Sequence, residues 1–302
     1  MKVASQKVGP FTKLTFSKIL PEKNIRSSLS VHLLGDTLFD SGSEPAAPFF
    51  VEVLRSNPPK RIILTHQHED HIGGLNTLRK HFGSIPVYCP QEHIELVKNG
   101  FVVPEHRILY WGNVKGSSDL IPFNSTDTFQ EGKYNIQVID TPGHTVGHKA
   151  FVIQAKGELY IISGDLYLAA KLPHALFESS IPDIIVSLEK LAAFQEQNIL
   201  FPSHGRFYYD ASKRLQKLAD WYKSESDIVQ SLSEKLATQD YNEIFRQRYL
   251  HYSPIEIFTN GENSRCALIR GILQPVKQLP AEAIRLDPIL LEKSKKLYAN
   301  SN

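Results

Sequence analysis

The apolar run Ile62-Ile63-Leu64 passes directly into Thr65-His66-Gln67-His68-Glu69-Asp70-His71, which sets four metal-binding side chains within six residues. The run reads as a buried strand, and the polar cluster marks where that strand gives way to a loop. A single histidine on an apolar face is usually a satisfied core residue. Three histidines and an aspartate packed this tightly have no such explanation, because crowded imidazoles repel one another when protonated and waste buried volume when neutral. A bound cation is the simplest compensation. Gly73-Gly74 follows, letting the backbone turn sharply and start a helix close to whatever sits in the loop.

The same punctuation recurs along the chain. Ser30–Leu34 and Thr37–Phe39 flank Gly35-Asp36, a two-residue hairpin signal. Pro45–Arg55 reads as a short helix with Phe49, Phe50, Val53 and Leu54 on its apolar side, and Leu75–Phe82 as the helix after the cluster. Tyr134, Ile136 and Val138 alternate with polar residues as in a half-buried strand that ends at Asp140-Thr141-Pro142-Gly143-His144. Glu158–Ser163 ends at Gly164-Asp165. A helix over about 184–197 precedes Ile199-Leu200-Phe201, which ends at Pro202-Ser203-His204-Gly205. Four apolar strands thus each stop at a potential ligand: the His66 cluster, His144, Asp165 and His204. Strands of one sheet would bring these ends to one edge. Strands alternating with helices predict an α/β layered fold.

Beyond Arg206 the pattern becomes helical. Lys213–Leu236 carries Leu215, Leu218, Trp221, Tyr222, Ile228, Val229, Leu232 and Leu236 on one side, and Tyr241–Tyr249, Ser264–Leu273 and Pro288–Tyr298 read as further helices. The expected organisation is a catalytic domain over residues 1–210 and a helical C-terminal subdomain over 211–302. A net charge of +2 over 302 residues implies neither a nucleic-acid nor a membrane partner. Cys89 and Cys266 stand in unrelated settings, with neither a CxxC pair nor a secreted-type framework, so they read as small buried hydrophobes in a cytoplasmic protein. The first residues lack a signal-peptide core, and no run is long enough to cross a bilayer.

Together, T-H-Q-H-E-D-H-I-G-G, T-P-G-H-T-V-G-H, I-S-G-D-L-Y and P-S-H-G resemble the motifs of the metallo-β-lactamase superfamily, and Leu38-Phe39-Asp40-Ser41-Gly42 looks like its first motif. The match runs over roughly residues 28–206 and is nearest to the hydroxyacylglutathione hydrolase (glyoxalase II)-like branch. The resemblance implies an αββα sandwich holding two divalent metal ions at one edge. His66, His68 and His144 would hold the first, Asp70, His71 and His204 the second, and Asp165 would bridge them. Asp40 would support the ligand loop from behind. His148 would pack or hydrogen-bond near the site, and the remaining histidines would not be metal ligands. The donors suit zinc, and also manganese or ferrous iron.

Two such ions, about 3.5–4 Å apart, lower the pKa of a shared water towards about 7. The implied activity is hydrolysis of a small-molecule ester or thioester by a metal-bridging hydroxide, with Asp70 orienting the attacking oxygen. The segment from Tyr167 to Phe177, with Lys171 and His174, is placed to line a substrate pocket. Lactonase and mononuclear-iron persulfide dioxygenase activities belong to the same superfamily, as does endoribonuclease activity. For the last, Arg246, Arg248, Tyr249, His251 and Tyr252 form the best nucleic-acid patch. Residues 205–302 hold 15 Lys+Arg against 12 Asp+Glu, too small an excess to favour RNA. The oligomeric state is not legible.

Overall fold

Seven strands neighbour one another in chain order in the first sheet: β1 (Lys2–Val8), β2 (Phe11–Leu20), β3 (Ile25–Leu34), β4 (Thr37–Phe39), β5 (Arg61–Ile63), β6 (Val87–Pro90) and β7 (Leu120–Phe123). The structure is a computed structural model and describes residues 1–20, 25–155, 157–194, 197–275 and 284–299. Strands β1 to β4 pair antiparallel, β3 and β4 across the expected turn at Gly35-Asp36, whereas β4 to β7 pair in parallel. Parallel pairing demands crossovers, and these contain α1 (Ala47–Leu54), α2 (Glu69–Ile72), α3 (Leu75–Phe82), α4 (Ile94–Asn99) and α5 (Glu105–Trp111). One face of this sheet, through Leu14, Val31, Leu38, Ile62 and Val87, shares a core with Phe50 and Leu54 of α1 and Leu75 and Leu78 of α3.

The buried stripe of α1 is Ala47, Phe50, Val51 and Leu54, the i, i+3, i+4, i+7 set of a helix with one covered face. Phe49 and Val53, expected on that face, are 37% and 38% exposed because they fall outside this stripe.

The second sheet has the order β8 (Thr128–Glu131), β9 (Tyr134–Asp140), β10 (Lys149–Ala155), β11 (Glu158–Gly164), β12 (Asn198–Pro202) and β13 (Tyr208–Tyr209). Strands β8 to β11 pair antiparallel, β11 and β12 in parallel, so β9, β11 and β12 all point the same way. A second apolar core lies between the sheets, with Phe11, Leu34, Phe39 and Ile63 from one and Ile136, Phe151, Ile162 and Phe201 from the other. The expectation that all ligand-bearing strands belong to one sheet is corrected by this topology. The His66 cluster follows β5 of the first sheet, whereas His144, Asp165 and His204 follow β9, β11 and β12 of the second.

By its internal contacts the chain divides into two compact units. The first comprises residues 1–140, 147–168 and 195–211 and contains both sheets. The second comprises residues 141–146, 169–194 and 212–302. Its helices are α6 (Ile181–Ala192), α7 (Ala211–Leu236), α8 (Tyr241–Arg248), α9 (Pro254–Phe258), α10 (Arg265–Leu273) and α11 (Pro288–Ala299). Helix α6 starts three residues before the expected position because Pro182 sits in its first turn, where proline is favoured. The expected end of that helix falls partly at positions 195–196, outside the described residues. Caps set the starts of α8, α9 and α10: Asp240 accepts from Asn242 N, Ser253 with Glu256 forms a capping box, and Ser264 accepts from Ala267 N. The mixed α/β architecture with a C-terminal helical region is the one expected. Among the described residues, no helix is long and apolar enough to cross a membrane.

Candidate metal centre

Parallel pairing in the first sheet puts the ends of β4 and β5 side by side, so Asp40 and the Thr65–His71 loop meet. Asp40 has φ +62°, a left-handed turn that aspartate tolerates better than most residues. Its carboxylate accepts from Thr65 N at 2.8 Å, from Thr65 Oγ1 at 3.0 Å and from His71 Nδ1 at 2.8 Å. That fixes the ring so that His71 Nε2 is the free nitrogen. This Nε2 is buried and makes no hydrogen bond. It stands 3.4 Å from Asp165 Oδ1 and 3.8 Å from Asp70 Oδ2.

Asp165 follows β11 directly. Gly164 before it has φ +51°, and a Cβ there would lie 2.5 Å from His148 Nε2, so only glycine fits. Asp165 N donates to His148 Nε2 at 3.2 Å, and the His148 ring packs against His66 with centroids 5.1 Å apart, in keeping with the supporting place expected of it. His204 follows β12. Its Nδ1 donates to Ser28 O at 2.5 Å, and its Nε2 lies 3.1 Å from Asp70 Oδ2 and 3.3 Å from Asp165 Oδ2. Asp70, His71, Asp165 and His204 thereby bring one donor atom each within 4.8 Å of all the others.

Electrostatics say what this group demands. Burial alone would lower the His204 imidazole, but Asp165 and Asp70 raise it to about 10. His71 is likewise raised well above its ordinary value, against burial, by Asp40, Asp70 and Asp165. Both aspartates are held below the usual carboxylate range by these imidazoles, again against burial. Buried carboxylates that force imidazoles to protonate are carboxylates short of a cation.

His66 and His68 adjoin this group. His66 Nε2 faces His68 Nδ1 at 3.0 Å, and the His66 and His71 rings are 4.0 Å apart. Two imidazole nitrogens 3.0 Å apart, beside an orphaned buried Nε2 and a carboxylate pair, fit divalent cations of borderline softness. His144, expected as the third imidazole, is buried on the Thr141–Val146 turn, a segment of the second unit tethered at both ends to β9 and β10.

Other expected residues sit in varied surroundings. Tyr167 is buried and makes an edge contact with Tyr208 at 5.7 Å. Lys171 is exposed and Phe177 half-buried. His174 lies 3.3 Å from Ser253 Oγ, and burial lowers its pKa. The nucleic-acid patch is internally engaged. Arg246 pairs with Asp287 at 2.5 Å, Arg248 with Glu225 at 2.7 Å, Tyr252 is fully buried, and the Tyr249 ring lies beneath Arg248 and Arg265. Cys89 and Cys266 are free and buried, with burial pushing each thiol up to about 12.

Several residues around the centre carry no signature in the sequence. Glu69, inside the histidine cluster, is fully buried and bound by Arg107 through two bonds of 2.6 and 2.7 Å. Trp111, on the same helix as Arg107, lays its ring 5.8 Å from His204. Lys149 bridges Glu92 and Asp140, gripping the ends of β9 and β10 from which the His144 turn springs. Gly73 and Gly74 have ordinary negative φ, so the expected conformational freedom is not their role. They allow close approach instead, since a Cβ on Gly74 would lie 2.2 Å from Ser41 O.

Stacked sheets of mixed α/β type, with histidines and aspartates gathered from strand ends, define a protein with a candidate metal centre at a sheet edge. The metallo-β-lactamase superfamily model matches residues 34–218, and the chain belongs to that superfamily. It is similar to hydroxyacylglutathione hydrolase of Yersinia enterocolitica, 32% identical over 146 residues that cover 48% of each chain. It is also similar to hydroxyacylglutathione hydrolase of Nitrosomonas eutropha, 28% identical over 199 residues, covering 64% of this chain and 68% of that one. The chain thus spans about half the length of the first of these relatives. Among solved structures, a β-lactamase domain protein from Burkholderia ambifaria aligns over 90% of this chain and 88% of its own, with TM-score 0.62 and 18% identity. A metallo-β-lactamase family protein from Thermus thermophilus aligns over 86% and 91%, with TM-score 0.60 and 18% identity. At such identities the likeness is one of fold.

Proposed function

We propose that this protein is a metal-dependent hydrolase of small acyl esters or thioesters, of the hydroxyacylglutathione hydrolase kind, working with two divalent cations. The observation that carries the reading is the buried group Asp70, His71, Asp165 and His204, with donor atoms within 4.8 Å of one another, directly beside the His66–His68 imidazole pair. In this reading His144 is the third imidazole of the first group, as the motifs imply, and its turn is tethered by two strands of the same sheet that carries Asp165 and His204. Bound there, zinc or a similar ion supplies an acidified water and polarises the acyl oxygen.

The chain's own residues hold and orient. Asp165 turns one oxygen to His71 and the other to His204, the two imidazoles of the second group, and in this reading it would also reach the first cation. Asp70 presents its carboxylate to the second position, where it can orient the attacking oxygen and hold its proton. Asp40 and Thr65 lock the His71 tautomer with Nε2 outward, the usual task of a carboxylate behind a metal-binding imidazole. A cytoplasmic location belongs to the same proposal, in keeping with two free, buried cysteines.

The test is release of thiol from S-lactoylglutathione by purified protein, with added Zn²⁺ and with chelator, run beside cleavage of single-stranded RNA. Chelator-sensitive thioester turnover is expected, and RNA cleavage without it would overturn the proposal. His68→Ala and Asp165→Ala should each abolish turnover and reduce bound metal while leaving the circular dichroism spectrum near that of the parent. Full activity in either variant would show the site to be misassigned.

A further inference from the structure

The hairpin of β2 and β3 meets the His204 loop at three points. Ser30 N donates to Ser203 O at 2.7 Å, His204 Nδ1 donates to Ser28 O, and Lys13 Nζ donates to Gly205 O. On the hairpin side, the first two contacts use main-chain groups that almost any sequence could supply. Lys13 is different. It lies on the same face of β2 as Phe11, which belongs to the core between the sheets, and it is only 3% exposed. Among the described residues no carboxylate pairs with it. Its register partner, His32, is also buried, with Nε2 making no hydrogen bond.

An ammonium buried without a counter-charge is unfavourable for folding, and burial alone pulls Lys13 down to about 8. An apolar side chain of similar volume would fold at least as well. A group that opposes folding, yet touches the main chain next to a candidate ligand, points to a role at that ligand. We infer that Lys13 is a positioning residue for His204: by holding the Gly205 carbonyl it fixes the turn that aims the His204 imidazole at Asp70 and Asp165. The inference rests on the two-cation reading above and adds to the support of the second position a residue 192 positions before the Gly205 carbonyl it holds.

The decisive variant is Lys13→Met, which keeps the bulk and removes the donor. Zinc-loaded wild type and variant are dialysed against graded chelator, and bound zinc is counted by elemental analysis. Cobalt-substituted samples report the geometry of each position by their visible absorption. The second equivalent is expected to bind about 10–100-fold more weakly in Lys13→Met, the usual cost of losing an outer partner, with the first unchanged. The melting temperature of the metal-free variant should equal or exceed that of metal-free wild type, and Lys13→Arg should recover the second equivalent. Two equivalents held at wild-type affinity by Lys13→Met would overturn the inference. So would loss of both equivalents together with a lowered metal-free melting temperature, which would mark Lys13 as part of the fold alone. Wild-type protein that never takes up two equivalents would overturn the two-cation reading itself, and this inference with it.

Discussion

At the scale of single residues, the centre is built by carboxylates that leave imidazoles no choice of orientation. Asp40 accepts three hydrogen bonds, from Thr65 N, Thr65 Oγ1 and His71 Nδ1, in a backbone conformation with positive φ. Asparagine tolerates that conformation equally well, so Asp40→Asn isolates the charge without backbone strain. This variant should bind metal about 10–100-fold more weakly than the parent, measured by competition with a chromophoric chelator. Unchanged affinity would mean that Asp40 orients nothing. The candidate donors of the cluster were legible because three histidines and an aspartate lie within six residues, just after an apolar run. Lys13, Arg107 and Trp111 were not, because each acts on a partner far along the chain, and nothing local distinguishes a lysine in a strand that turns inward from one that turns out.

At the scale of elements, α2 and α5 are joined by one buried ion pair. Glu69 is fully buried within the ligand loop, and Arg107 satisfies both its oxygens from α5. Removing only the arginine leaves a buried charge uncompensated, so Arg107→Ala should lose about 3–5 kcal/mol in urea unfolding. Adding Glu69→Gln should return part of that loss, since the orphaned charge disappears. No recovery would point to packing of the Arg107 stem instead of charge. Helix and strand positions in the middle of the chain followed from periodicity: α3 and β9 span the residues that apolar spacing indicates. The amino-terminal strand escaped it, because β1 buries little beyond Val8 and carries a mostly exposed, polar sequence. Strand β10 is buried at six of seven positions and so shows no alternation at all.

At the scale of the whole molecule, cations and protons compete for one negatively charged group. His204 is raised to about 10 from an ordinary value near 6.5, so its contribution to stability is complete below pH 6.5 and fades as pH climbs through about 10. Chelated protein should therefore lose melting temperature between pH 7 and 10. Protein loaded with zinc should not, because the proton has been displaced; identical pH profiles for the two forms would count against a metal at His204. At pH 7.5, free zinc at a hundredfold excess over its dissociation constant should stabilise the fold by about 2.7 kcal/mol, read as a rise in melting temperature over the chelated sample. The layered class was readable from strands alternating with helices. The division of the candidate ligands between two sheets was not, because sequence shows where strands stop and not which neighbours they choose.

Gathering donors from both sheets has an outcome for biosynthesis. A chain still on the ribosome owns His66, His68 and His71 long before His204 is made, and the amino-terminal strands that will cradle that last histidine wait for it while the intervening chain is translated. A cation captured early would meet the imidazoles and Asp70 of the cluster, without Asp165 or His204. On the two-cation reading, the second position lacks Asp165 and His204 until the second sheet has been made, so its cation would be taken up late in the life of the polypeptide.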